Sequence, residues 1–218
     1  MFQLLRIHQY IKNLFVFAPL VFSFNFNQED TINTIFVFIL FSLLASSIYI
    51  FNDLMDIQED KKHPTKKFRP LASGKVSKGS AKLLIVILSS ISLTVASFIS
   101  VNLFFILLFY FLLNLAYSIK LKHITIVDIF IIATGFVLRL FAGNSVLDTS
   151  LSMWIIIMTF LLALFLAIAK RRDDVLLSSQ GKATRKNIDG YNLEFVNATM
   201  IFMAGVIVVS YILYTVSS

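Results

Sequence analysis

The chain has 218 residues, of which 58% are hydrophobic and 14% charged, with a net charge of +7 and no cysteine. An ordinary globular chain is roughly 45–50% apolar and about 25% charged, so this surplus exceeds what one water-soluble core of the same length hides, and a soluble domain is excluded. The missing cysteine excludes disulfide staples and thiolate-held zinc or iron–sulfur centres, leaving oxygen or imidazole for any metal.

Apolar runs lie at about 14–26, 32–51, 83–101, 103–119, 124–143, 151–169 and 195–216. At about 20 residues per membrane-spanning helix they predict an all-α polytopic membrane bundle of about seven transmembrane helices, a single domain over 1–218 with no separate soluble part. The first run is short and carries Pro19. No small-residue cleavage pattern follows it, so the N-terminus reads as part of the mature fold rather than a signal peptide.

Charge alternates along these runs. Of the 19 Lys and Arg, Arg6 and Lys12 precede the first run, eight lie in 53–82, two are Lys120 and Lys122, six fall between Lys170 and Lys186, and Arg139 remains. The other connections, around 25–31, 100–102 and 144–150, hold no Lys or Arg. The positive-inside rule then places the N-terminus and the loops at about 53–82, 119–124 and 170–194 in the cytoplasm, as expected of a multi-pass protein of a bacterial inner membrane. The basic charge is that of a membrane rim, and no nucleic-acid partner is implied.

The second run ends in Asn52-Asp53-Leu-Met-Asp56-Ile-Gln-Glu59-Asp60. At about 100° per residue, Asp53, Asp56 and Asp60 share an arc of roughly 60° on one helix face. Carboxylates held so close repel unless a cation sits among them. Mg²⁺ takes oxygen ligands, typically one or two carboxylates with substrate phosphates, which makes the three aspartates a candidate metal site flanked by Asn52 and Glu59. Asp53 continues an apolar run, where ionisable groups are costly and usually functional.

Pro64, Pro70 and Gly74 then shape a loop that Ser77 closes as the N-cap of the next helix. Within it Lys66, Lys67 and Arg69 read either as phosphate ligands or as a polybasic stretch attracted to anionic headgroups. Further on, Tyr117 ends the fourth run, Lys122 lies in the following turn, and Asp128 opens the fifth. Arg139, eleven residues later, is about 16 Å from Asp128 along a helix. It is expected to face the bundle interior and meet a buried carboxylate or a phosphate. Lys170, Arg171 and Arg172 close the sixth run, as site cations or as stop-transfer charges, and Arg185 and Lys186 follow.

Asn52-Asp53-x-x-Asp56-x-x-x-Asp60 with Arg69-Pro70-Leu71-x-x-Gly74 resembles the first motif of the UbiA prenyltransferase superfamily of intramembrane helical enzymes. The wording His63-Pro64-Thr65-Lys66-Lys67-Phe68-Arg69-Pro70, with Lys12-Asn13 and Phe17-Ala18-Pro19-Leu20, is similar to its decaprenyl-phosphate phosphoribosyltransferase branch. Similarity continues through Tyr117-Ser118, Leu121-Lys122, Asp128, Gly135-Phe136, Arg139 and Lys170-Arg171-Arg172, almost the whole chain. The resemblance implies Mg²⁺-dependent transfer of 5-phosphoribose from phosphoribosyl pyrophosphate to a polyprenyl phosphate. It implies catalytic roles for Asp53, Asp56, Asp60 and Asp128, and substrate contacts from Lys12, Asn52, Lys66, Lys67, Arg69, Tyr117, Lys122, Arg139, Lys170 and Arg171. The family's bundle has two more helices than the seven read here, so this chain is expected to be a fragment or to close its bundle otherwise, a homo-oligomer included. Two other readings stay open: a prenyltransferase acting on a prenyl diphosphate, and a non-catalytic transporter or lipid-binding subunit.

Overall fold

The computed structural model describes residues 2–24, 26–179 and 190–217; Arg185 and Lys186 lie outside them. Most of the described chain is helical, and no strand occurs among these residues. After α1 (Phe2–Leu5), a 3-10 helix spans Ile7–Phe17 and passes into α2 (Ala18–Ser23). The longer elements are α3 (Gln28–Met55), α5 (Lys78–Ile99), α6 (Val101–Ile119), α7 (Val127–Asn144), α8 (Met153–Ser179) and α9 (Leu193–Ser217), with a short α4 (Ile57–Lys62) after α3. Six of them are long and apolar enough to cross a membrane. Their outward residues are apolar, Phe98 and Ile201 being 85% and 76% exposed, which fits lipid as the solvent.

The seventh expected span is the segmented one. Pro19, with no N–H to donate, sits in the first turn of α2, where that donor is unused, and so marks the change of helix type. The segment runs antiparallel to α3: Arg6 meets Asp53, Tyr10 meets Ser46, Asn13 meets Ser42, and the Phe17 ring lies 5.4 Å from that of Phe38. Fifteen residues of α3 rise about 22 Å, and the eleven facing residues cover the same distance at about 2 Å each, the rise of a 3-10 helix. With α2 the segment reaches about 30 Å, a hydrocarbon thickness. The helical segment therefore starts near residue 7 rather than 14, and Lys12, exposed, stands at the level of Ser42–Ser46 of α3, about 10–16 Å along the axis from Asp53.

The chain divides into two compact units, residues 1–119 with 138–150, and residues 120–137 with 151–218. In the first, α3 is the central helix. Asn27 caps it by accepting a hydrogen bond from the Asp30 amide, and Glu29 and Asp30 complement its N-terminal dipole. Its core joins Val16, Phe41, Leu44, Leu107, Tyr110 and Leu138. α5 packs on α3 through the small residues Ala81, Ser89, Ser92 and Ala96, close enough for Ser92 Oγ to donate to the Leu40 carbonyl at 2.7 Å. Ser77 caps α5 as the sequence predicts. A Cβ on Gly143 would overlap the Val16 carbonyl, so only glycine lets α7 approach the 3-10 helix there. In the second unit, Ala163, Ala167 and Ile168 of α8 pack with Val196 and Met203 of α9 and Ile129 and Ala133 of α7.

Candidate active site

The acidic motif does not form one uninterrupted helix face. α3 stops at Met55, Asp56 takes φ −93°, ψ 7°, and α4 begins one residue later. This break carries Asp60 back toward Asp53. A single atom, Arg69 Nη1, lies 3.0 Å from Asp53 Oδ1 and 2.8 Å from Asp60 Oδ2. Both carboxylates thus converge on one cationic point. Asp56 is half-buried beside them and accepts a 3.1 Å hydrogen bond from Asn52 Nδ2.

The loop that delivers Arg69 is fixed locally. His63 Nδ1 accepts from the amides of Thr65 and Lys66, both at 3.3 Å, which requires that nitrogen to be unprotonated. Slight burial, and then the Lys66 charge, hold the His63 pKa below its usual value, favouring that form. Arg69 is extended, φ −60°, ψ 146°, as the residue before a proline must be. Behind it the Ser73 amide donates to the Arg69 carbonyl, and Gly74 closes the turn at φ +78°. Leu71 anchors the loop in a core with Leu4, Ile50, Ile57, Ala81 and Leu88. Lys66 is half-buried, whereas Lys67 is exposed, 5.2 Å over the Phe68 ring.

Sequence reasoning missed Arg6. Its Nη2 meets Asp53 Oδ1 at 2.5 Å, and its guanidinium lies 5.5 Å over the Tyr49 ring. Arg6 is also left-handed, φ 51°, ψ 47°, between α1 and the 3-10 helix. That conformation costs a non-glycine residue about 1–2 kcal/mol. The available signal was placement: Arg6 lies on the predicted cytoplasmic side, as does the end of the second run.

Deeper in the same unit, Arg139 is buried as expected. Nε donates to Asn13 Oδ1 at 3.0 Å and Nη2 to Tyr110 Oη at 3.2 Å, and the guanidinium stacks 5.0 Å from the Phe41 ring. An amide, a phenol and an aromatic face thus surround the guanidinium. Tyr117 is half-buried on α6.

In the second unit, Asp128 and Arg171 are 0% and 1% exposed. Arg171 Nε and Nη2 each stand 2.8 Å from Asp128 Oδ2, and Nη1 reaches Asp174 Oδ2 at 2.9 Å. Tyr191 Oη donates to Asp128 Oδ1 at 2.6 Å and accepts from the Ile126 amide at 2.8 Å. Ile126 has φ +72°, strained for a β-branched residue. A side chain at Gly190 would overlap Thr125, so glycine is what allows Tyr191 this close. Burial, and then the bond to Asp128, raise the Tyr191 pKa above the ordinary tyrosine range. Arg172 donates to Asn197 at 2.8 Å. Lys170 is exposed and Lys122 half-buried.

Among the described residues no group of three or more His, Asp or Glu is placed to hold a metal ion. The donor chemistry of Asp53 and Asp60 nonetheless fits a hard divalent cation, because two carboxylate oxygens already point at one positive centre.

The model of the UbiA prenyltransferase family matches residues 14–217. The chain is 35% identical to a decaprenyl-phosphate phosphoribosyltransferase of Mycolicibacterium smegmatis, over 97% of this chain and 69% of that one. It is 34% identical to the Corynebacterium glutamicum protein of the same name, over 98% and 66%. The chain thus spans about two thirds of the length of these relatives. A UbiA homologue from Archaeoglobus fulgidus, solved with DMAPP and Mg²⁺, superposes with a TM-score of 0.81 at 19% identity, covering 99% of this chain and 77% of that one.

Proposed function

Because the chain belongs to the UbiA prenyltransferase family and is a multi-pass membrane transferase, we propose that it moves 5-phosphoribose from phosphoribosyl pyrophosphate to a polyprenyl phosphate, releasing pyrophosphate. The observation that carries this reading is the convergence of Asp53, Asp60 and Arg69 in a chain whose relatives at 34 and 35% identity are named for that activity.

Asp53 and Asp60, with Asp56 and Asn52 beside them, would hold Mg²⁺, which would supply positive charge to the pyrophosphate leaving group. Arg69, Lys66 and Lys67 of the same loop bind donor phosphate oxygens, the guanidinium as a planar fork and the ammoniums as point charges. An oxygen of the lipid phosphate forms the new bond to C1 while the bond from C1 to pyrophosphate breaks, and the leaving oxygen takes the electron pair. A phosphate monoester is already anionic at neutral pH, so no strong base is needed. By resemblance, Lys12, Lys122 and Lys170 position substrate phosphate. Asp128 acts by holding Arg171 and the start of α7. The basic loops face the cytoplasm.

The test is the purified protein in detergent with Mg²⁺, radiolabelled phosphoribosyl pyrophosphate and a polyprenyl phosphate. Organic-extractable label and free pyrophosphate are expected together, and neither without Mg²⁺. Parallel reactions use dimethylallyl or geranyl diphosphate, with an aromatic or isoprenoid acceptor. Turnover confined to those would replace the phosphoribosyl reading with a prenyltransferase one.

A further inference from the structure

Four charges close on one another at the Asp53 cluster: the guanidiniums of Arg6 and Arg69, and the carboxylates of Asp53 and Asp60. They are layered. The carboxylate side chains are 3% and 5% exposed, while the side chains of Arg6 and Arg69 are 19% and 27% exposed. A ligand arriving from outside meets the cations first and the carboxylates behind them. The quartet is neutral as it stands, and its inner pair is too buried for water to compensate a lost partner.

This arrangement constrains what can bind. A divalent cation alone would displace the guanidiniums from the carboxylates and leave two positive charges stranded. An anion alone would draw the guanidiniums outward and strand two buried negative charges. Only a cation and a multiply charged anion arriving together leave every charge partnered. Arg6 is the half of the arrangement with less to give up: its guanidinium pairs with Asp53, whereas Arg69 Nη1 pairs with both Asp53 and Asp60.

We propose that Arg6 is a phosphate-binding residue held in reserve on Asp53, exchanging from the carboxylate to a diphosphate oxygen as the metal–diphosphate pair enters, so that neither component binds well alone. This rests on the reading of Asp53 and Asp60 as a metal–diphosphate site. No covalent step is involved; one ion pair is traded for another.

Two substitutions should each create binding, which misfolding cannot imitate. Purified protein is titrated with Mn²⁺ alone, followed by electron paramagnetic resonance, and with inorganic pyrophosphate in EDTA, followed by calorimetry. Arg6→Gln uncovers the carboxylates and should tighten Mn²⁺ binding at least tenfold without pyrophosphate. Asp53→Asn releases the guanidiniums and should tighten pyrophosphate binding at least tenfold without metal. Arg6→Lys, which keeps the charge, should leave Mn²⁺ binding weak. If Arg6→Gln and Asp53→Asn both bind as the unmodified protein does, or only one gains, the exchange is wrong. A separate titration of the unmodified protein with Mn²⁺ and pyrophosphate together isolates the underlying reading: failure to bind the pair would remove the metal–diphosphate site itself.

Discussion

Arg139 and Asn13, 126 positions apart, meet through a 3.0 Å hydrogen bond from the guanidinium Nε to the carboxamide Oδ1. The same carboxamide donates through Nδ2 to Ser42 Oγ at 3.0 Å, so both of its ends are fixed and one buried amide ties α7, the 3-10 helix and α3 together. Replacing Asn13 with Leu keeps the branched shape but removes the acceptor of Arg139 Nε and the partner of Ser42. Hydrogen bonds to charged groups contribute about 1.5–3 kcal/mol, and a loss of that size is expected as a lower unfolding temperature in detergent. Arg139→Lys should lose stability too, because an ammonium cannot span Asn13 and Tyr110 while stacking on Phe41. Unchanged unfolding in both variants would dismiss the polar layer as a stabilising element.

Asp56 should separate chemistry from folding. It sits at the helix break, half-buried, and accepts a hydrogen bond from the Asn52 carboxamide. Asp56→Asn is expected to leave the unfolding free energy within about 0.5 kcal/mol of the parent, as for an ordinary surface change. Turnover in the phosphoribosyl assay should fall at least about 10²-fold, the scale of losing one charge-stabilising contact. Full activity in this variant would take Asp56 out of the site.

Arg171 presents the opposite case. It bridges Asp128 and Asp174 in a setting with almost no solvent. Removing one partner of a buried pair typically costs about 3–5 kcal/mol, because the carboxylate left behind stays buried without its opposite charge. Arg171→Met should therefore unfold at markedly lower temperature or fail to accumulate in membranes. Arg171→Met combined with Asp128→Asn should recover part of that loss, since no charge then remains stranded on α7. If the double variant is no better than the single one, the pair is not what Arg171 contributes.

Much of this was readable beforehand. Composition and run length gave the bundle, Ser77 its cap, and the burial of Arg139 followed from its being the lone cation away from the basic segments. The path of residues 7–17 was not. Hydropathy marks where apolar residues cluster and carries no information on rise per residue, so a segment climbing about 2 Å per residue begins earlier than a helix-length window expects. The ridge of three aspartates assumed a continuous helix, and nothing in the residue types around Asp56 announces the break. Arg6 was hidden because its partner lies 47 residues away. Periodicity reports which residues share a face, whereas an ion pair between segments depends on how those segments pack.

Tyr191 offers a pH test of the second unit. Its hydroxyl donates to Asp128 and accepts from the Ile126 amide, which steadies a β-branched residue at φ +72°. Burial and the acceptor carboxylate favour the protonated phenol, so its pKa in the folded protein lies above the 10.0 of a free tyrosine. Between those two values the unfolded chain has lost the proton and the folded one keeps it. The hydroxyl's contribution is thus fully present below about pH 10 and is lost as pH rises from there toward the folded value. Tyr191→Phe should lower the unfolding temperature by an amount equal to about 1–3 kcal/mol at neutral pH, the cost of leaving a buried polar group without its partner. The gap between parent and variant should stay constant from about pH 6 to pH 9 and narrow above pH 10, other titrations being common to both proteins. A gap that narrows already near pH 8 would mean that the phenol is not held protonated by Asp128.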